Sequence, residues 1–255
     1  MSALRARCPD CRTLTAVALG PEYECHSCGR GFAAGLVRVP RAWGAGGEAM
    51  AEAAALALPY PEADVVTCDT LSEQTSVLAA SLPERPLVLG GCCCAHTGAI
   101  RGLAGRGGRV AVVWLDAHDD LNTPETSPSG NAWGMPLRVA IDEGAIRADD
   151  VALVGARNLD PAEVGYMRSM GIDEDIARAL RGADAVYVAL DCDVLDPAEI
   201  ACFMPEPHGP GVAEVELVLR EVAASGVRVA GAGLTGLRPE ADVSTLARLV
   251  GALGL

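Results

Sequence analysis

Seven short apolar runs recur along the chain and alternate with helix-like stretches, and this alternation constrains the fold more than any other feature. The runs are Leu36 to Val39, Val65 to Cys68, Leu87 to Leu89, Val110 to Leu115, Val151 to Val154, Val186 to Leu190 and Val227 to Ala232. A strand that is apolar at nearly every position is buried on both faces, as parallel strands covered by helices are. The helix-like stretches, rich in Ala, Leu, Arg and Glu, are Glu48 to Leu58, Pro161 to Met170, Glu174 to Leu180, Val212 to Ala224 and Glu240 to Leu253. The pattern predicts an α/β domain with a parallel sheet between two helical layers. Its functional loops would leave the carboxyl ends of the strands.

At 255 residues, half of them apolar, the chain accommodates one such domain with a small appendage. Gly, Pro, Asp, Glu or Arg breaks every run before the ~18 apolar residues of a membrane span. The start, Met-Ser-Ala-Leu-Arg-Ala-Arg-Cys, lacks the apolar segment of a secretory signal. These features predict a soluble cytoplasmic protein with no membrane partner. A formal charge of -14, with every basic residue an Arg, opposes nucleic-acid binding over most of the surface.

Ten cysteines in a reducing compartment point to metal ligation or catalysis more than to disulfides. Cys68, Cys192 and Cys202 stand alone and read as small buried apolar side chains. Cys8-Pro-Asp-Cys11 and Cys25-His26-Ser-Cys28 form two knuckles, the spacing of a zinc ribbon in which four thiolates close a tetrahedral Zn²⁺ shell. A ribbon over residues 1–34 is too short to bury a core, so metal would hold it together, and the main domain would occupy 35–255. Positions 1 to 41 carry six Arg against three acidic residues, but only Tyr23 and Phe32 for stacking on bases. A protein partner or an oligomer brace suits the ribbon better than nucleic acid.

The chemistry concentrates at two strand ends. After Val110 to Leu115 comes Asp116-Ala-His118-Asp-Asp120, and after Val186 to Leu190 comes Asp191-Cys-Asp193. On a segment still extended as it leaves the sheet, residues at i, i+2 and i+4 project to one side. Carboxylates with one imidazole suit Mn²⁺, Fe²⁺ or Zn²⁺. Acidic residues at strand ends also cap helices or line solvated turns, but two such motifs after buried strands are hard to account for without a cation.

Five segments in this order resemble the arginase, agmatinase and formimidoylglutamase (ureohydrolase) superfamily. They are Leu89-Gly-Gly91 through Ile100, Asp116 through Pro124, Ser129-Gly-Asn131-Ala-Trp133-Gly-Met-Pro, Gly155-Ala-Arg157-Asn-Leu-Asp160-Pro-Ala-Glu163, and Asp191-Cys-Asp193-Val-Leu-Asp-Pro. The resemblance covers roughly residues 36 to 255 and implies a three-layer arginase-like domain with a binuclear manganese centre. It implies that Asp116 and Asp191 bridge two ions, that His118 and Asp193 complete one, and that Asp120 serves the other. Asn122, Ser127, Ser129 and Asn131 align with a substrate-recognition loop, and Asp160 and Glu163 with positions that read an α-amino group. A homo-oligomer acting on a small molecule is the implied assembly.

Three departures matter. Cys93 replaces the family's histidine ligand of the first metal, and its softer thiolate favours Zn²⁺ over Mn²⁺, so one or two manganese ions, or zinc, remain open. His96, at a helix start, is an alternative ligand or else a core-edge histidine. Trp133 replaces the family's proton-shuttle histidine, leaving His208 as the one unassigned histidine for that role. Gly236 replaces the glutamate that pairs with a guanidinium, which argues against unmodified arginine. The expected function is hydrolysis of a non-peptide C–N bond in a small linear amidine, guanidino or amide compound, with Asp116, His118, Asp191 and Asp193 at its centre. A mononuclear zinc deacylase of the same fold, as in histone-deacetylase-like proteins, and a non-catalytic metal-binding scaffold are the alternatives.

Overall fold

A computed structural model describes residues 5–255. Four short strands, β1 (Arg5–Ala6), β2 (Ala16–Leu19), β3 (Glu22–Cys25) and β4 (Gly31–Phe32), form an antiparallel sheet in sequence order. Tyr23 and Phe32 are buried between its strands, so neither ring is free to stack on a base. The small sheet is tied to the large one by paired backbone hydrogen bonds between Arg7 and Glu62, 2.8 and 2.9 Å.

The rest alternates as the apolar runs require. The elements are β5 (Gly35–Val39), α1 (Glu48–Ala53), β6 (Glu62–Val65), α2 (Leu71–Ser81), β7 (Pro86–Gly90), α3 (Cys94–Ala104), β8 (Val110–Leu115) and α4 (Pro136–Asp142). They continue with β9 (Val151–Val154), α5 (Pro161–Met170), α6 (Ile176–Leu180), β10 (Ala185–Asp191), α7 (Val212–Ala224), β11 (Arg228–Thr235) and α8 (Val243–Ala252). The seven strands form one parallel sheet in the order β6-β5-β7-β11-β10-β8-β9. Among the described residues no helix is long and apolar enough to cross a membrane.

The period-two geometry of a strand divides the core into two layers. Ala111, Val113 and Leu115 of β8 face Leu219 of α7 and Leu246 and Leu249 of α8. Val110, Val112 and Trp114 face the opposite way, toward Leu78, Ile100 and Leu137 of α2, α3 and α4. This is the three-layer α/β/α arrangement.

Several boundaries differ from the sequence expectation. The strand expected at Val65 to Cys68 is β6, displaced to Glu62–Val65. As the edge strand of the large sheet it pairs with β5 on one side and only at Glu62, through Arg7, on the other, so its apolar residues do not mark its centre. The stretch from Glu174 becomes helical only at Ile176, because Asp175 caps it by accepting from the Arg178 N–H at 2.9 Å. Asp242 does the same for α8, accepting from Thr245 at 2.9 Å. Helix α1 stops at Ala53, well short of Leu58. Two helices lie outside the expected stretches: α2, in which polar residues interrupt the apolar face, and α4, which has an apolar face but only seven residues.

His96 is fully buried in α3. Its Nδ1 lies 2.9 Å from the Tyr187 hydroxyl and its Nε2 3.0 Å from Thr235 Oγ1, and burial draws its pKa from the ordinary 6.5 down to about 3. The unfolded chain therefore binds a proton that the folded chain refuses, and stability falls as pH drops from about 6.5 toward 3. His96→Phe removes this dependence while leaving the buried Tyr187 hydroxyl without a partner and Thr235 Oγ1 with only its bonds to Asp191 and Cys93. Urea titrations should show it about 2 kcal/mol less stable at pH 7, with a shallower loss of stability on acidification than the parent chain. An unchanged pH slope would show that His96 is not held neutral by its burial.

Candidate metal centre

The carboxyl ends of four neighbouring strands, β7, β11, β10 and β8, meet at one cavity of about 270 Å³. Its floor holds Cys93, Asp116, His118, Asp120, Asp191 and Asp193. Three of the four carboxylates, Asp116, Asp191 and Asp193, are oriented before any ligand arrives. Asp116 Oδ1 accepts from the His118 N–H at 2.7 Å, and Oδ2 from Trp114 Nε1 at 3.0 Å. Asp193 Oδ1 accepts from the Ala117 N–H at 3.0 Å, tying the two motifs together. Asp191 accepts from the Asp193 N–H at 3.0 Å, from Thr235 Oγ1 at 3.1 Å and from the Cys93 thiol at 2.8 Å.

The segment Asp116 to Asp120 is not extended as expected. The Asp116 side chain turns it back at once through the His118 N–H, and Asp120 takes a left-handed conformation with φ of 51°. Convergence of the three side chains therefore comes from a turn and not from strand alternation.

Two donor sets result, and they share Asp116. Ligand atoms of Cys93, Asp116 and Asp191 lie within 4.8 Å of one another, as do those of Asp116, His118 and Asp193. Burial and mutual repulsion raise Asp116 and Asp120 above the usual carboxylate range, and push Asp191 up to about 7 and Asp193 to about 6. His118 responds in the opposite sense: burial disfavours its cation, but Asp116 and Asp193 outweigh this and raise it to about 12. Asp120 Oδ2 is buried without a hydrogen-bond partner. An orphaned carboxylate oxygen among mutually repelling acids fits a divalent cation, which relieves both costs. The set around His118 is hard, whereas Cys93 makes the other softer.

In the small N-terminal sheet, Cys8, Cys11, Cys25 and Cys28 converge with their sulfurs mutually within 4.8 Å. Cys8 and Cys28 are 3.8 Å apart and Cys11 and Cys25 3.6 Å. A tetrahedron with Zn–S bonds of about 2.3 Å has edges of about 3.8 Å, so the cluster has the dimensions of a ZnS₄ site.

The other expected residues divide. Asn122, Ser127, Ser129, Trp133, Asp160 and Glu163 line the cavity. Asn122 Nδ2 donates to Asp160 Oδ2 at 2.9 Å, while Glu163 accepts from the Leu121 and Asp160 N–H groups, holding the loop that carries Asp120. Asn131 does not line the cavity, because its Oδ1 accepts from the Ala45 N–H at 2.9 Å. Its neighbour Trp133 lies against Gly44, where any Cβ would collide with the indole. Trp133 meets Phe203 edge to face at 6.1 Å and, with Met50 and Met204, forms an apolar wall.

Neither spare histidine joins the site. His96 belongs to no donor set and reaches the centre only through Thr235, while His208 is exposed with φ of 66° and does not line the cavity. Three residues given no role from sequence do take part. Arg157 donates to the carbonyls of Asp193, Val194, Glu206 and Pro207, clamping the loop after β10. Asn158 Nδ2 donates to Glu206 Oε1 at 2.7 Å, and that carboxylate lies 3.6 Å from His118 Nε2. Arg157 and Asn158 sit in a motif the sequence did display; nothing near Glu206 signalled it.

A family model described as the arginase family matches residues 44–253. The chain belongs to the arginase family. It is 35% identical over 142 residues to an arginase of Staphylococcus aureus (strain COL), a match covering 45% of this chain and 47% of that protein. The chain thus spans about half the length of the curated relatives it matches. Among solved structures it resembles the arginase of Bacillus subtilis with a TM-score of 0.75 at 25% identity, covering 86% of this chain and 97% of that one. It shares its fold with the proclavaminate amidino hydrolase of Streptomyces clavuligerus, with a TM-score of 0.67 at 23% identity over 86% and 89% of the two chains.

Within this arginase-family fold, Gly236 is more than a missing glutamate. Its φ is 65°, and a Cβ there would fall inside the Asp191 carboxylate. Any side chain must displace Asp191 or the backbone. Gly236→Ala should cost more than about 1 kcal/mol of stability and weaken divalent-metal retention at least tenfold. Denaturant titration and elemental analysis after dialysis would measure this, and parental values for both would mean that the turn has room.

Proposed function

We propose that the chain is a metal-dependent hydrolase of a non-peptide C–N bond in a small linear amidine, guanidino or amide compound. The observation that carries this reading is the pair of donor sets sharing Asp116 on the floor of a cavity with one polar and one apolar wall. Asp116, His118, Asp191 and Asp193 would hold the metal, with Asp120 and Cys93 completing the first position. When bound, the ions supply Lewis acidity and a nucleophile available at neutral pH. The chain's own residues do the rest. The Trp133 and Phe203 wall excludes water, Asn122, Asp160, Ser127 and Ser129 offer polar groups to one end of the substrate, and Glu206 with Asn158 steadies the outer nitrogen of His118.

The reacting end of the substrate is best a neutral or modified group. Gly236 cannot carry a carboxylate to pair a guanidinium, and Trp133 cannot shuttle a proton. Asn131 and Glu163 act by holding loops. We assign Zn²⁺ to the four-cysteine ribbon, and to the main site Mn²⁺ at the His118 position with a softer ion, Zn²⁺, preferred beside Cys93. The working assignment is a cytoplasmic homo-oligomer whose ribbon contacts protein. A single-zinc deacylase is the second reading, favoured by the self-sufficient Asp116, His118 and Asp193 set.

Urea, ammonia and carboxylate release should be followed over guanidino, hydroxyguanidino, formimino and acylamino compounds, with turnover abolished by Asp191→Asn. Acyl cleavage with a single zinc at the main site selects the deacylase. Absence of metal-dependent turnover across the panel points to a scaffold.

Cobalt substitution tests Cys93 separately. A thiolate ligand produces an intense near-ultraviolet sulfur-to-cobalt band, and Cys93→His should lower the band by one thiolate per chain and raise the bound Mn²⁺ to Zn²⁺ ratio severalfold. The ribbon's four thiolates remain as the internal reference. A band unchanged by the substitution would exclude Cys93 as a ligand.

A further inference from the structure

At the opposite edge of the large sheet, roughly 20 Å away along a six-residue strand, lies a second cavity of about 570 Å³. It collects arginines from the amino ends of the strands. Arg85 precedes β7, Arg109 precedes β8, Arg228 opens β11, and Arg106 follows α3. Against these cations the lining carries only Glu84 and Asp184 as acids. Such a concentration is notable in a chain of net charge -14.

The four guanidinia are not equivalent. Arg109 is committed, pairing with Asp150, and its backbone N–H donates to Asp184 at 2.8 Å. Arg106 is preorganised: it donates to the carbonyls of Leu82, Pro83 and Glu84 at 3.0, 2.8 and 2.6 Å, so its cation is fixed in place without being neutralised. Among the described residues, Arg85 and Arg228 have no carboxylate within ion-pair distance and no side-chain hydrogen bond. Burial, and beyond it the nearby Arg228, depress the Arg85 and Arg106 guanidinia, with Glu22 and Glu84 offsetting part of the effect. Like charges converging without an anion are unfavourable, and a bound anion would relieve the repulsion. The planar fork of Arg also matches phosphoryl and carboxylate oxygens two at a time.

We propose that this cavity binds a small polyanion, phosphoryl or polycarboxylate, through Arg85, Arg106 and Arg228. Its volume is that of a small-molecule site. Pro21, in the turn between β2 and β3 of the cysteine-rich sheet, forms part of the wall. A bound anion would therefore touch both sheets and brace the ribbon against the domain. The site is separate from the metal centre, so the proposal stands whatever that centre hydrolyses.

Calorimetric titration of the full chain with inorganic pyrophosphate and with citrate tests it, since the two probes separate the phosphoryl from the polycarboxylate source. One saturable site per chain is expected, weakened by added salt, with a rise in Tm on saturation. Arg85→Ala/Arg228→Ala should lose at least tenfold in affinity for the preferred anion. Arg220→Ala, an exposed arginine paired with Glu216 outside this cavity, should bind as the parent does. Arg85→Lys/Arg228→Lys keeps the charge without the fork and should bind at intermediate strength, which guards against loss of folding in the alanine variant. No saturable binding of either anion, or binding untouched by both double variants and so belonging to the metal centre, would overturn the proposal.

Discussion

Four aspartates share one buried floor at the ends of β8 and β10, and their mutual repulsion is the constraint to which the surrounding structure answers. Burial and neighbouring charge raise Asp116, Asp120, Asp191 and Asp193 together. Without compensation, buried like charges of this kind cost several kcal/mol. The fold responds with fixed donors: the N–H groups of Ala117, His118 and Asp193, the Trp114 indole, the Thr235 hydroxyl and the Cys93 thiol. The Asp120 oxygen left without a hydrogen-bond partner, and the repulsion that remains, are what a cation would answer.

This arrangement is asymmetric, and the asymmetry extends outward. On the His118 side the support is polar: Arg157 clamps four carbonyls, and Asn158 and Glu206 stand behind the imidazole. On the Cys93 side it is apolar beyond Asp191 and Thr235: Cys93 itself packs in the core layer with Val37, Val39 and Val88, and its neighbours Cys92 and Cys94 cluster with Met50, Trp133 and Phe203. A thiol suits such surroundings better than an imidazole that would need a partner for its second nitrogen. His96, close in sequence, is spent on Tyr187 and Thr235, and through Thr235 it steadies Asp191.

Much of this was legible in the chain itself. Continuous apolar runs announced buried parallel strands, because only a strand covered on both faces tolerates them. Asp116, His118, Asp191 and Asp193 were visible because two acidic motifs follow buried strands, where either alone would read as a cap or a solvated turn. Harder to see were β6, an edge strand with a weaker burial signal, α2, whose apolar face is interrupted by polar residues, and α4, whose seven residues make less than two full turns of pattern. Glu206 was invisible, since a lone glutamate in a Pro-rich loop resembles any solvated side chain until Arg157 draws that loop over His118. His208 attracted attention by residue type alone, but its backbone carries it away from the cavity.

By itself the sequence determined the α/β layering, the four-cysteine knuckles and the kinds of donor available, since hydrophobic periodicity and residue chemistry are local properties. Tertiary structure alone decided which donors share a site. Pairing β10 beside β8 and β11 brings together residues 75 positions apart, and a turn at Asp116, not strand alternation, aims His118 and Asp120. It also decided that Gly236 has no room for a side chain, and that arginines scattered from 85 to 228 meet in one cavity. These are facts of distance between segments remote in sequence, which only chain packing sets.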